Sequence, residues 1–197
     1  NLAHNLYCIN KDGVQEVINE DAIKNVISQA AEGLTGIDVA SVATEAVRNL
    51  YNGVKKSDIL TTIMMAARTR IEQEPNYSFV TARLLRNELL EVAMDFLDLP
   101  AGTIENDALE TYLKKAVELE FLDPVLLTYD LKKLAAAIKP ERSNNFTYLG
   151  LQTLFDRYFV HYQNIRFETP QIFFMRVSMG LAVNEENRED AAIEFYN

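Results

Sequence analysis

Few residues in this chain have the types and spacing that catalysis needs. The single cysteine, Cys8, is a thiol that could act as nucleophile or ligand, but in a short β-prone run it reads as a small buried hydrophobe. One cysteine excludes an internal disulfide framework and any Cys-rich zinc site. His4 and His161 are too few and too far apart for a metal site, and His161 reads as a half-exposed strand residue. The carboxylates Glu185-Glu186 and Glu189-Asp190 read as solvated helix starts rather than as acid–base pairs. Phe155, Tyr158, Phe159, Phe173 and Phe174 could stack on a base, but their helical or alternating spacing assigns them to a core. Arg176, set in an apolar stretch, and Arg83 in Ala82-Arg83-Leu84 are expected to pair with an acid or cap carbonyls.

Composition narrows the classes further. The 197 residues are 48% hydrophobic, enough for a real core in one or two domains. The formal charge of −10, from 29 acidic and 19 basic residues, repels a nucleic-acid backbone, so DNA or RNA is not an expected partner. No apolar run approaches the roughly 20 residues of a membrane span, and residues 1–5 lack a secretory start. A cytoplasmic setting is expected. The chain opens on Asn1 and stops at Asn197 within a helical pattern, so both ends read as cut from a longer protein.

Local signals then place the elements. Two β-prone runs, 6–8 and 14–17, flank Lys11-Asp12-Gly13, where glycine accepts the positive φ of a hairpin turn. Asn19 caps a first helix with Ile23, Val26, Ile27, Ala30 and Ala31 on one face, ended by Gly33. A second carries Val39 to Leu50 and closes at Asn52-Gly53. A third is capped by Ser57 and ends before Pro75. A fourth starts near Asn76 and carries Leu85, Leu89, Val92 and Phe96 at helical spacing. Leu99-Pro100-Ala101-Gly102 breaks the pattern, dividing the chain into domains 1–97 and 98–197. Beyond it come a helix around Leu109–Val117, one from Asp123-Pro124 to before Pro140, one over 148–158, and a hairpin at Gln163-Asn164. Helices from Pro170 to Leu181 and over 189–197 complete a mainly α chain.

The region from Asn144 to Gly180 resembles the large-subunit ribonucleotide reductase family, in the helical region ahead of its catalytic barrel. Thr153-Leu154, then Tyr158, the short strand pair, and Glu168-Thr169-Pro170-Gln171 with Met175-Arg176-Val177-Ser178 and Gly180 occur in order at the family's spacing. The first domain resembles the ATP-cone, a four-helix nucleotide-sensing unit with a β-hairpin lid. The carrying residues are Asn10-Lys11-Asp12-Gly13, Glu16, Ile18-Asn19, Ala31-Glu32-Gly33-Leu34, Tyr51-Asn52-Gly53-Val54-Lys55 and Ala82-Arg83-Leu84. The resemblance implies a parent that reduces ribonucleoside diphosphates to deoxyribonucleoside diphosphates by thiyl-radical chemistry. The parent's partners would be a radical-generating small subunit, further copies of the large subunit, and nucleotides as substrate and effector. The reactive cysteines would follow residue 197, so this stretch is expected to contain no catalytic residue and to be inactive alone.

A nucleoside triphosphate carries close to four negative charges, so its site needs several cations and exposed backbone N–H groups. The resemblance assigns Lys11, Glu16, Asn19 and Lys56 to a nucleotide site for ATP or dATP. It also shows departures: Asn10 and Ala22 stand where the family has lysines, Leu60 where it has a histidine, and Glu91 near a basic position. A degenerate cone with weak or absent ATP binding is expected. Lys24, Lys55 and Lys56 compensate only if they turn inward. The competing readings are a free-standing nucleotide-sensing or subunit-assembly module and an anaerobic reductase of the same superfamily. A zinc-ribbon repressor is excluded by the lone cysteine.

Overall fold

The computed structural model describes residues 6–197; His4 lies outside them. Contacts within the chain gather into two compact units, residues up to 88 with 146–150, and residues 89–145 with 151–197.

The first unit opens with a three-stranded sheet. β1 (Tyr7–Ile9) pairs antiparallel with β2 (Gln15–Val17) and parallel with β3 (Val54–Lys55), so that Cys8 sits between Glu16 and Val54. The hairpin forms where Asn10-Lys11-Asp12-Gly13 predicts it. Gly13 takes φ +78°, and the Asn10 side chain organises the turn by accepting from the N–H groups of Asp12 and Val14, both at 2.9 Å. α1 (Glu20–Ala30), α2 (Val39–Arg48) and α3 (Lys56–Arg68) follow, α2 packing on both others. Asn19 caps α1 as expected, its Oδ1 accepting from Asp21 N at 2.9 Å and Ala22 N at 3.3 Å. Ile23, Ile27, Val42, Ala46 and Ala67 fill the core between them, and Cys8 is buried with them as an inert hydrophobe. Arg83 caps carbonyls as read from the sequence: its guanidinium donates to Ala30 O at 3.1 Å and Glu32 O at 2.9 Å, at the end of α1.

α4 (Tyr77–Phe96) begins in the first unit and ends in the second. In the second unit α5 (Glu105–Glu118), α6 (Leu131–Ala137), α7 (Tyr148–Arg157), α8 (Pro170–Ala182) and α9 (Arg188–Tyr196) appear, with α8 and α9 the most extensively packed pair; only residues from Leu151 of α7 belong here. β4 (His161–Tyr162) and β5 (Ile165–Arg166) form the small hairpin, its two-residue loop held by Gln163 and Asn164 at φ +47° and +66°. Phe167, fully buried, stacks on Phe96 at 4.7 Å and tilts against Tyr112 at 5.7 Å and Phe121 at 6.2 Å.

Four local expectations are corrected. Ser57 does not cap α3: the cap position is Lys55, without a side-chain hydrogen bond, because the chain leaves β3 straight into the helix. Asp123-Pro124 opens only a 3-10 turn, Pro124–Thr128, since Tyr129 is extended and directs its hydroxyl to Met179 O at 2.6 Å. Asp130 then starts α6 as a second cap, accepting from Lys133 N at 3.2 Å. Val92 is 42% exposed and Tyr158 is 58% exposed, so neither belongs to the core that their spacing suggested. Phe159 does, at 3% exposure.

Candidate functional site

Of the four residues assigned to a nucleotide site, Glu16 and Lys56 contact each other and Asn19 caps a helix. The Glu16 carboxylate on β2 accepts from Lys56 Nζ at 2.6 Å through Oε2 and from Asn10 Nδ2 at 2.9 Å through Oε1. These donors come from the start of α3 and from the hairpin turn, so two segments converge on a carboxylate carried by β2. The hydrogen bond from Lys56, then that from Asn10, holds the Glu16 carboxyl below its ordinary range. Asn19 is the α1 cap already described, and Lys11 lies exposed in the turn. Ala22 is exposed on α1, Leu60 half-buried on α3, and Glu91 exposed on α4. The structure therefore brings Glu16 and Lys56 together but gives Asn19 a helix-capping role.

The backbone donors of this region are largely used as well. The N–H groups of Asp12 and Val14 go to Asn10, and those of Asp21 and Ala22 go to Asn19. The first turn of α3 alone starts without a side-chain cap. Lys55 is exposed beside it, and Lys24 is half-buried on α1.

The second unit holds a buried polar centre built on the Glu168-Thr169-Pro170-Gln171 segment. Glu168, fully buried, takes two parallel hydrogen bonds from Arg176, Nε to Oε2 at 2.8 Å and Nη2 to Oε1 at 2.7 Å. It also accepts from the Tyr112 hydroxyl and from Val160 N. Burial, then the Glu168 charge, pushes the Tyr112 hydroxyl well above its ordinary pKa. Burial works against the Arg176 charge, but the hydrogen bonds and charge of Glu168 outweigh it and raise the pKa. Arg176 thus pairs with an acid, as its apolar setting required.

Beside it, Glu105 of α5 is 2% exposed and accepts through Oε2 from Thr169 Oγ1 at 2.6 Å, Gln171 N at 2.9 Å and Ile172 N at 3.3 Å. It caps α8 from another helix. Gln171 donates to Ser143 Oγ at 2.9 Å and accepts from the Tyr196 hydroxyl at 2.6 Å. Sequence reasoning put Tyr112 on the apolar face of its helix but missed its hydroxyl's role, and it missed Glu105, Ser143 and Tyr196. For Glu105 a signal existed: with Ala108, Leu109 and Tyr112 it falls on one helical face at i, i+3, i+4 and i+7. An acid on an apolar stripe calls for a buried partner.

Two of the four carboxylates read as solvated helix starts have partners distant in sequence. Glu189 accepts from Asp130 N at 3.0 Å and Asp190 pairs with Lys133 at 2.6 Å, while Glu185 and Glu186 are exposed. His161 is exposed on β4. Among the described residues no group of three or more His, Cys, Asp or Glu is placed to hold a metal. Among them, too, no helix is long and apolar enough to cross a membrane.

Comparison with known proteins matches residues 6–90 to the ATP cone domain and residues 144–197 to the ribonucleotide reductase all-alpha domain. Relatives align across both. The ribonucleoside-diphosphate reductase subunit alpha of Chlamydia muridarum is 35% identical over 192 residues, covering 96% of this chain and 18% of the relative. Over nearly its whole length the chain is similar to ribonucleotide reductase large subunits. The Helicobacter pylori subunit alpha (strain 26695) is 30% identical over 191 residues, 95% of this chain and 23% of its own. Escherichia coli ribonucleoside-diphosphate reductase 1 subunit alpha is 30% identical over 205 residues, 100% of this chain and 26% of its own. The chain therefore spans about a fifth to a quarter of the length of these relatives. The mainly α fold with a small N-terminal sheet agrees with both matched domains. A free-standing sensor or assembly module gains no support from matches that run through the all-alpha domain.

Proposed function

We propose that this chain serves as the regulatory and structural part of a ribonucleoside-diphosphate reductase large subunit. The whole subunit would convert ribonucleoside diphosphates to deoxyribonucleoside diphosphates for DNA synthesis, in the cytoplasm, with a radical-generating small subunit and further copies of itself. Residues 1–97 act as the cone and 98–197 as a helical adaptor without catalytic residues. The reading rests on one observation: a single chain joins an ATP cone to a reductase all-alpha domain, and its relatives align through both.

The cone is degenerate as an effector site. ATP or dATP would meet Lys11, Glu16, Asn19 and Lys56, of which Glu16 and Lys56 are paired with each other and Asn19 caps α1. Asn10, Ala22 and Leu60 supply none of the charged contacts that the resemblance leads one to expect. Each such contact contributes about 1.5–3 kcal/mol, so three missing ones remove about 4.5–9 kcal/mol. Micromolar binding corresponds to about 8 kcal/mol in total. Calorimetric titration of the chain with ATP and with dATP tests this. No saturable heat at submillimolar nucleotide is expected, and micromolar affinity for either would overturn the reading.

A further inference from the structure

We infer that Met65 is the site of reversible sulfur oxidation in this chain: it takes one oxygen atom from a hydroperoxide and becomes a methionine sulfoxide that the fold accommodates. The chain holds one cysteine and five methionines. Five of these six side chains are buried. Cys8 is 3% exposed, Met64 5% and Met94 2%, and Met175 and Met179 are fully buried. Met65 is 41% exposed. Sulfur oxidises where an oxidant can reach it, so burial removes even the thiol, which as an exposed thiolate would react first. Met64 and Met65 are neighbours in sequence, so local composition does not separate them; the helix does. α3 turns Ile63, Met64, Ala66 and Ala67 into the core of the first unit. At about 100° per residue, Met65 falls on the face that carries Asp58, Thr62 and Thr69. Asp58 and Thr69 are exposed there, and Thr62 donates its hydroxyl to Asp58 O at 2.9 Å.

The step balances without any group beyond the peroxide. A lone pair on Sδ attacks one peroxide oxygen, the S–O bond forms as the O–O bond breaks, and the displaced oxygen takes up the proton and leaves as water or an alcohol. Sulfur gives up two electrons and the peroxide accepts them; a thiol-dependent methionine sulfoxide reductase reverses the change. The product is a polar group with a new hydrogen-bond acceptor. At Met175 or Met179 that acceptor would lie unpaired in an apolar core, with the penalty of a buried polar group. On the polar face of α3, water hydrates it. Oxidation at Met65 therefore marks the surface of the first unit and leaves its core alone.

Hydrogen peroxide at neutral pH, followed by peptide mass spectrometry, tests this on the folded chain and on the chain unfolded in urea. In the folded chain Met65 is expected to gain oxygen roughly tenfold faster than any other methionine, with Cys8 unmodified. In urea the methionines should react at rates within about a factor of two of one another, since only the fold separates them. Met65→Leu, a swap of similar volume, should remove the fast phase and leave the slow ones unchanged. The singly oxidised chain should keep its circular dichroism and its urea midpoint, and methionine sulfoxide reductase should return it to the original mass. Oxidation of Met64, Met94, Met175, Met179 or Cys8 as fast as Met65 in the folded chain would overturn the assignment. So would a sulfoxide at Met65 that unfolds the first unit or resists the reductase, because the change would then be damage and not a reversible mark.

Discussion

Removing Glu105 should damage the second unit more than any exposed carboxylate in the chain. The accounting at the start of α8 is complete. Pro170 has no N–H, Gln171 and Ile172 donate to Glu105 Oε2, and Phe173 donates to Thr169 O at 2.8 Å. Thr169 at the cap position makes no cap of its own, since its hydroxyl also donates to Glu105. Glu105→Ala strips two buried N–H groups and one hydroxyl of their shared acceptor at once. A buried donor left unsatisfied costs about 1–3 kcal/mol, so the loss of three should be about 3–9 kcal/mol, a large part of a domain's roughly 5–15 kcal/mol. Glu105→Gln keeps a carbonyl acceptor and loses the charge near a helix N-terminus, costing about 1–2 kcal/mol. Urea denaturation followed by far-ultraviolet circular dichroism measures both. With a slope of about 2 kcal/mol per molar, the alanine variant should unfold about 1.5–4.5 M earlier. Amide exchange at Gln171 and Ile172 should rise with it. A midpoint shift under about 0.5 M for alanine, or equal shifts for alanine and glutamine, would refute the capping argument.

Three further outcomes follow from the same contacts. Arg176→Leu leaves the fully buried Glu168 without its cation and should cost about 3–5 kcal/mol in denaturant, with Glu168→Gln in the same chain recovering part of it; a loss below about 1 kcal/mol would contradict the pairing. Tyr112, its pKa raised above the ordinary value, contributes stability that is fully present below about pH 10 and lost as pH rises toward its folded value. In a spectrophotometric titration one of the nine tyrosines should therefore stay protonated until the chain unfolds. Glu16, its pKa lowered, contributes stability present above about pH 4.3 and lost as pH falls through its folded value. A carboxyl titration by nuclear magnetic resonance should show that depression disappear in Lys56→Ala.

Much of the fold was legible because its determinants are local. The Asn19 cap, the Asp12-Gly13 turn, the Gln163-Asn164 turn and the Pro170 helix start each state their geometry within four residues. Between Asp123 and Pro140 the same rules misled, because two capping aspartates seven residues apart compete. Asp123 wins only the 3-10 turn, and Tyr129 is drawn out to reach Met179. Val92 and Tyr158 failed for another reason: periodicity names a face but not what covers it. At the candidate site the residue types were legible and their partners were not. Lys56 and Glu16 lie 40 residues apart, and nothing in a one-dimensional pattern says that they meet.

The two polar centres show why recognisable residues need not be ligand-binding ones. In the second unit the Glu168–Arg176 segment, by which the family is recognised, is turned inward. Glu168, Thr169 and Gln171 are buried, each has its hydrogen-bond partners, and every partner is a side chain or backbone group of the same unit. Inside a low-dielectric core such a network is costly when incomplete, so the identity of each member is dictated by the others. In the first unit Glu16, Asn10 and Lys56 meet at the surface, where water could replace any of them at small cost. Packing places no comparable demand on those three positions. A change at those three positions can therefore leave the first unit folded, whereas no member of the Glu105 and Glu168 centre can be removed without loosening α8.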